Sequence, residues 1–506
     1  MMKVEIMDTT LRDGEQTQGV AYTPLEKLHL ASFLLKELGV NRIEVASARV
    51  SEGEFRATKK IIDWAKENGF HQNVEVLGFV DGDISLNWIK EAGGKVLNLL
   101  TKGSYKHVTK QLRKTPEQHV DDIKKSVAKA REMGIEVNIY LEDWSNGMLE
   151  SEDYVFFLMD ALKEEPIRRF MLPDTLGVLN PDQSFELIKK MTGRYPELWF
   201  DFHAHNDYDL AVANAFEAVK AGAKGIHVTV NGLGERAGNA PLSSVIAVIH
   251  DHLNFTTDIK EEKINQISRL VETFSGIRIP FNKPVIGESV FTQTSGVHAD
   301  GDNKDNLYFN RLMPERFGRK RVYALGKLSG KANIEKNLQE MGLHLTPESL
   351  KKVTKRVIEL GDKKETVTPE DLPFIISDVL RNGHNDKKIT IKNYSLSISA
   401  SMKPVASVQI EIDGDEYEEA ASGDGQYDAF MNALWKIYHR LGKSHPMLKN
   451  YRVSIPPGGK TDALVETRIT WDYGGKQIVT KGLDADQTVS AIKATERMLN
   501  IIENVY

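Results

Sequence analysis

Along the first half of the chain, short apolar runs alternate with longer stretches whose apolar positions fall three and four apart. The runs are Val4–Met7, Arg42–Ala46, Val74–Val80, Val96–Leu100, Glu136–Leu141, Arg169–Leu172, Trp199–His203 and Gly225–Val230. Runs this short, rich in apolar residues and separated by longer helical patterns, predict strands. The stretches between them, such as Leu25–Leu38, Glu54–Asn68, Pro116–Met133, Asp182–Thr192 and Asp209–Ala221, predict amphipathic helices. With Pro241–Leu253 as the last helix, the pattern gives eight strand–helix units in about 250 residues, which is what an α/β fold of the (β/α)8 TIM-barrel type requires. A doubly wound open sheet is the alternative, but its Gly-x-Gly-x-x-Gly turn is missing after the first strand.

Beyond residue 260 the pattern changes. Glu261–Phe274 predicts one more helix, 275–330 is loop-rich and carries Ser295-Gly-Val-His-Ala-Asp-Gly301, and 331–381 is helical and charged. Asn382-Gly-His-Asn-Asp386 predicts a linker. The last 120 residues form a weak repeat. Strand-like Lys388–Ala400 and Ala406–Ile412 lead into a helix opening at Gly423-Asp-Gly-Gln426, and Tyr451–Ile455 and Asp462–Trp471 lead into one opening at Asp484-Ala-Asp-Gln487. The expected organisation is therefore a catalytic barrel (1–260), a linker and helical subdomain with a mobile active-site segment (261–385), and an α+β module with a pseudo-twofold repeat (386–506). The module holds no catalytic constellation, which favours a binding or regulatory role over a second enzyme.

Composition narrows the picture. A length of 506 residues exceeds what one core supports, so two or three domains are expected. The net charge of −6 offers no general field for nucleic acid or an anionic membrane, so an anionic ligand must be caught by a local basic site. With no cysteine, disulfides and thiolate metal ligands are excluded. The N-terminus lacks the apolar segment of a signal peptide, and no apolar run approaches the roughly 18 residues needed to span a bilayer, so the expected location is cytoplasmic.

The barrel reading directs attention to the C-terminal strand ends, where such folds keep their chemistry. In Phe200-Asp-Phe-His-Ala-His-Asn-Asp207 the apolar and polar residues alternate, so His203 and His205 point to one face. Two neutral imidazoles so placed can hold a divalent metal, although a bare His-x-His is more often a hydrogen-bonded strand end. Asp13, just past strand one, can complete a carboxylate–imidazole–imidazole set, and Asn239 after strand eight can add an amide oxygen. Mixed oxygen and nitrogen donors suit Mn²⁺, Mg²⁺, Fe²⁺ or Zn²⁺ without choosing among them. Such a metal polarises a carbonyl, and Arg12 beside it can stabilise a developing oxyanion.

Three motifs carry a resemblance. Asp8-Thr-Thr-Leu-Arg-Asp-Gly-Glu-Gln16, His203-Ala-His-Asn-Asp207 and Asn231-Gly-Leu-Gly-Glu-Arg-Ala-Gly-Asn239 resemble the α-isopropylmalate synthase and homocitrate synthase family, as do Gly296-Val-His-Ala-Asp-Gly301 and the C-terminal double module. The resemblance implies a Claisen condensation of acetyl-CoA with an α-keto acid and a metal held by Asp13, His203 and His205 with Asn239 close by. It also implies homodimers in which the 290–330 region of one subunit closes over the other's barrel. Val96–Gly103, Ile139–Gly147 and Arg316–Gly326 resemble the citramalate-forming branch, which uses pyruvate; the runner-up is 2-ketoisovalerate. Leu77, Leu100 and Tyr140 are expected to face inward near the metal and leave room for a methyl group, and Thr175 is a candidate for the keto acid's carboxylate. Glu142, at the end of strand five, is the expected base. His298 and Tyr308 resemble residues that assist proton transfer or hydrolysis. The Asn231, Gly232, Gly234, Glu235 and Arg236 turn is expected to approach the CoA nucleotide, with Arg316, Arg319, Lys320 and Arg321 as further phosphate candidates. In the module, Tyr427, Asp428, Leu448, Tyr451, Ile455, Val465 and Gln487 are expected to line a pocket for an amino-acid effector, isoleucine by pathway logic. Leu328 stands where isopropylmalate synthases usually have histidine, which argues for a different substrate. A lyase and a catalytically dead amino-acid sensor are the readings from other classes.

Overall fold

A computed structural model describes residues 2–253, 255–302, 304–362, 367, 369–380, 388–454 and 465–505. It divides into two compact units, residues 1–291 with 309–321, and residues 292–308 with 322–506.

The first unit is a closed parallel barrel. Its strands are β1 (Glu5–Asp8), β2 (Arg42–Ser47), β3 (Val74–Phe79), β4 (Val96–Lys102), β5 (Glu136–Glu142), β6 (Ile167–Asp174), β7 (Phe200–Ala204) and β8 (Gly225–Val228), in that order around the ring. Closure is made by β1 against β8, with Glu5 opposite Gly225 and Asp8 opposite Val228. Three of the outer helices begin with one device. Thr23, Thr115 and Asn180 each cap a helix, with Pro at the first position and Glu26, Gln118 or Gln183 reaching back to the cap. Such a box satisfies two otherwise unpaired N–H groups, and a cap contributes about 1 kcal/mol.

Between ring and helices lies one continuous core, in which Val45, Leu97, Ile139, Phe170, Phe202 and Ile226 meet Leu34, Ile61, Ile89, Ile123, Leu158 and Ile246. Burying one such side chain contributes roughly 1.5–3 kcal/mol. Helix Ile264–Ser275 adds Ile264, Ile267 and Val271 to the same core, so this unit continues past residue 260. Segment 309–321 is stapled to it by arginines. Arg316 pairs with Asp251 (2.7 Å) and Glu261 (2.7 Å), and Arg319 donates to the carbonyls of Val285, Gly287 and Glu288. These two arginines, expected as phosphate candidates, are occupied by protein partners.

Inside the ring the deep layer is polar and paired. Arg42 meets Asp201 (2.5 Å), Glu75 (3.1 Å) and Glu5 (3.3 Å). Asn98 donates to Glu44 (2.7 Å), and Asn138 donates to Asn98 (2.9 Å).

The second unit opens with Thr292–Gln293 paired in parallel to Val322–Tyr323. Helices Lys331–Glu340, Pro347–Asp362 and Leu372–Leu380 follow, around Ile334, Leu338, Leu350, Val353, Val357 and Leu372. Two antiparallel sheets come next: β9 (Ile389–Ser399), β10 (Met402–Ile412) and β11 (Asp415–Ser422), then β12 (Met447–Ser454), β13 (Val465–Tyr473) and β14 (Lys476–Asp484). Each sheet leads into a helix, Gln426–Arg440 and Gln487–Val505. The repeat thus has three strands per half, where the sequence pattern showed two. In the first half the third strand hid because β11, Asp-Glu-Tyr-Glu-Glu-Ala-Ala-Ser, is mostly exposed and reads as a polar loop. The signal of both third strands lies in the turns, since Asp413-Gly414 and Gly474-Gly475 all have positive φ and close two-residue hairpins. The expected linker 382–386 lies outside the described residues. Among the described residues, no helix is long and apolar enough to cross a membrane.

Candidate active site

The turn after β1 is built by one carbonyl. Thr9 O accepts from the N–H groups of Arg12 (3.1 Å), Asp13 (2.8 Å) and Gly14 (3.1 Å), which winds Arg12 and Asp13 over the barrel mouth. Lys27, fully buried, clamps that turn from behind. Its ammonium donates to the carbonyls of Leu11 (3.0 Å) and Val45 (3.2 Å) and pairs with Glu15 (2.6 Å) and Glu54 (2.7 Å). The period-two geometry of β7 carries His203 to the same mouth, and the next inward position is His205, bridged to Asn239.

The ring nitrogens converge on one oxygen. Nε2 of His203 lies 3.2 Å and Nε2 of His205 3.9 Å from Oδ2 of Asp13, and the three donor atoms all fall within 4.8 Å of one another. Burial alone would raise the Asp13 carboxyl, but Arg12 and the two imidazoles reverse this and hold it far below the usual carboxylate range. Burial lowers both imidazoles, His205 to about 4. The result is one ionised carboxylate beside two neutral imidazoles, the protonation pattern that metal ligands need. Oδ1 of Asp13 and Oδ1 of Asn239 are buried without a partner, while the Asn239 amide nitrogen is tied to Leu233 O (3.2 Å). A buried, unpaired polar atom is destabilising by about 1–3 kcal/mol, and two oxygens left open beside two imidazoles fit a divalent cation.

Around this cluster the structure gathers several of the expected residues. Arg12, pulled by Glu44 (2.5 Å) and Asp13 (3.1 Å), sits with its guanidinium 5.9 Å from the Tyr140 ring centre. Leu77, Leu100 and Tyr140 meet inside the barrel in a small apolar cluster separate from the main core. The Tyr140 ring stands edge-on to His203 with centres 6.0 Å apart. Thr175, in the turn after β6, accepts from the N–H of Asp143 (2.9 Å), which leaves its own O–H free to donate. Glu142 is ion-paired with its cross-strand neighbour Lys102, so its carboxylate faces an ammonium rather than an apolar wall. The sequence reading missed that partner. It also missed Met7 and Met171, which complete the apolar cluster, and Glu44, which orients Arg12. The signal was available: a polar residue such as Glu44 at an alternate position of a buried strand has only the barrel interior to face.

Other expected residues stand differently. The Asn231–Asn239 turn approaches itself: a Cβ on Gly234 would lie 2.3 Å from Nδ2 of Asn239, and one on Gly238 would lie 2.0 Å from Gly232 O. The glycines therefore fold the turn that positions Asn239. Asn231 donates to Ser268 O (2.9 Å). Arg236 is held by both oxygens of Asp207 (2.8 and 2.9 Å) and by Thr175 O (2.8 Å), with Glu235 3.3 Å away. His298 and Tyr308 belong to the second unit, where their rings pack 4.2 Å apart and Nδ1 of His298 lies 3.1 Å from Gln293.

In the C-terminal module, Tyr427 and Tyr451 pack with ring centres 5.5 Å apart, and Gln487 hydrogen-bonds Tyr451. Asp428 is exposed and accepts from Asp424 N (2.8 Å). Leu448 is 45% exposed on β12, and Val465 is half-buried. Ile455 lies outside the described residues.

Comparison with known proteins adds an independent line. Residues 3–271 match the HMGL-like family, 285–365 the homocitrate synthase post-HMGL domain-like family, and 366–503 the LeuA allosteric (dimerisation) domain. The chain is 35% identical over 506 residues to an (R)-citramalate synthase of Methanocaldococcus jannaschii, covering 99% of this chain and 100% of that one. It is 32% identical over 510 residues to a 2-isopropylmalate synthase of the same organism, covering 99% and 95%. Overall identity therefore barely separates the two activities.

Proposed function

Because the chain belongs to the α-isopropylmalate synthase and homocitrate synthase family, we propose that its barrel condenses acetyl-CoA with pyruvate to give (R)-citramalate and CoA. As a family member it is an acyltransferase that joins acetyl-CoA to a 2-oxo acid. The choice of pyruvate rests on the apolar cluster. Leu77, Leu100, Tyr140, Met7 and Met171 crowd the space beside the histidines with apolar side chains, which supports a methyl group over a longer one.

Asp13, His203 and His205, with Asn239, would hold a divalent metal, which when bound supplies Lewis-acid polarisation of the keto carbonyl. Arg12 is oriented by Glu44 to donate to the keto oxygen as it gains charge. Thr175 donates a hydrogen bond from its hydroxyl to the pyruvate carboxylate. Glu142, ion-paired with Lys102 at the end of β5, removes a proton from the thioester methyl. The new carbon–carbon bond forms between that methyl carbon and the keto carbon, and the keto oxygen takes up a proton. Water then cleaves the thioester to release citramalate and CoA, with His298 and Tyr308 assisting proton transfer. The Asn231–Arg236 turn would border the CoA chain. The LeuA-type module would bind a branched-chain amino acid, isoleucine, at Tyr427, Tyr451 and Gln487, and would support a homodimer.

The test is CoA release with a panel of 2-oxo acids, with and without isoleucine or leucine. Pyruvate is expected to exceed 2-ketoisovalerate by tenfold or more in kcat/KM, since each added carbon changes discrimination by about 1–3 kcal/mol. Faster turnover with 2-ketoisovalerate would remove the pyruvate reading, and no release with any acid would remove the condensation itself.

A further inference from the structure

Below the proposed metal ligands lies a chain of buried polar groups for which the chemistry above has no use. His227, on β8, is fully buried. Its Nε2 lies 3.2 Å from Oδ2 of Asp201, and its Nδ1 lies 3.1 Å from the Tyr140 hydroxyl. Asp201 is held as an anion from two further sides, by Arg42 (2.5 Å) and by the Trp199 indole N–H (2.9 Å). An ionised carboxylate only accepts, so it draws the imidazole proton to Nε2. Nδ1 is then left as an acceptor, and the Tyr140 hydroxyl must be the donor. The ring it belongs to is clamped edge-on between His203 (6.0 Å, 89°) and His227 (5.6 Å, 81°), beside Leu77, Leu100, Met7 and Met171.

We propose that His227, set by Asp201, is a positioning residue for substrate choice: it ties down the Tyr140 hydroxyl so that the ring stands as a fixed wall of the 2-oxo acid pocket. A phenol not anchored in this way would turn aside for a longer side chain or offer its hydroxyl to a polar one. Anchored, it limits the pocket by shape alone. The inference rests on the reading of the barrel as a 2-oxo acid condensing enzyme.

The experiment compares kcat/KM for pyruvate and for 2-oxobutanoate, one methylene longer, in wild type, His227→Leu, His227→Asn, Tyr140→Phe and the Tyr140→Phe/His227→Leu double variant. Binding of each acid to the metal-loaded protein without acetyl-CoA is measured by calorimetry alongside. Wild type is expected to favour pyruvate by about tenfold or more. His227→Leu and Tyr140→Phe should each reduce that ratio at least about fivefold, and the double variant should reduce it no further, because one contact has been removed from either end. His227→Asn, whose amide oxygen can accept where Nδ1 did, should retain most of the ratio. Both acids slowed equally with the ratio intact, or single effects that multiply in the double variant, would overturn the inference. Should His227→Leu fail to fold, the Tyr140→Phe and His227→Asn ratios decide by the same criteria. A wild type that binds and turns over neither acid would instead remove the functional reading, and the inference with it.

Discussion

The barrel interior contains two polar clusters, and they are built on opposite principles. The deep one is nearly saturated: Arg42 faces Asp201, Glu75 and Glu5, Glu44 takes bonds from Arg12 and Asn98, and Asn138 Oδ1 and Arg42 Nε stand as exceptions without a hydrogen bond. The one at the mouth is left open: Asp13 Oδ1 and Asn239 Oδ1 are buried and unpaired beside the Nε2 atoms of His203 and His205, whose Nδ1 atoms also lack partners. Both are shielded from water by the same shell of strands and helices, so exposure does not explain the difference. A closed network gives a ring of strands one fixed arrangement, whereas open donor atoms keep a coordination site ready at some expense in stability.

The comparison breaks most sharply in the deep layer. Asp201→Asn should lower unfolding stability by about 3–5 kcal/mol, since it leaves Arg42 without its shortest charged partner in a buried site. Chemical denaturation would measure the loss. A change below about 1 kcal/mol would mean the layer is not a structural network.

Asp8 tests the opposite case. It is fully buried at the end of β1, accepts from Thr10 N (2.9 Å) and leaves Oδ2 unpaired. Burial pushes its carboxyl up to about 7. A raised folded value favours the protonated form, so this group's contribution is intact below the ordinary value of 3.8 and fades as pH rises towards 7. Asp8→Asn should therefore stabilise the protein at pH 8, by up to about 4 kcal/mol, and leave it unchanged near pH 3.5. Equal effects at both pH values would contradict this.

His119 supplies the smaller effect. It supports the end of β4 by accepting from Lys102 N (3.0 Å), and burial lowers its imidazole to about 4, with Lys114 and Lys102 adding to the shift. A lowered folded value favours the neutral ring, so stability is full above the ordinary value of 6.5 and falls as pH drops towards 4, by about 3 kcal/mol for this residue. His203, His205 and His227 steepen the same acid limb. His119→Gln, which keeps an acceptor for Lys102, should flatten it by about one proton's uptake; an unchanged slope would discount the residue.

How much of this the sequence disclosed follows from where each signal resides. The eight barrel strands were legible because their outward positions pack on the helices and stay apolar, as Ile43, Val45, Val74 and Val76 do around Glu44 and Glu75, and His203 and His205 because alternation fixes their common face. The glycines of the turn after β8 read equally well as room for a ligand or for the turn's own crossing, and only the structure reveals that a Cβ on Gly234 would lie 2.3 Å from Nδ2 of Asn239. In the first C-terminal sheet the third strand was hidden by its solvated residues; in the second, Lys476–Asp484 buries Ile478, Thr480 and Lys481 but places polar residues and a glycine among them, which blurs the strand pattern. Glu142's ion pair with Lys102 joins residues forty apart on neighbouring strands, and nothing local in either segment announces it.

The most direct test of the central claim is divalent-metal uptake by the stripped protein, followed by calorimetry and by the thermal midpoint with Mn²⁺ and with Mg²⁺. The account predicts one ion bound per barrel and a raised midpoint, equivalent to about 2.7 kcal/mol at a hundredfold excess over Kd, with both effects lost in Asp13→Asn while the fold is retained. Uptake and midpoint shift in Asp13→Asn equal to those of the unaltered protein would contradict it.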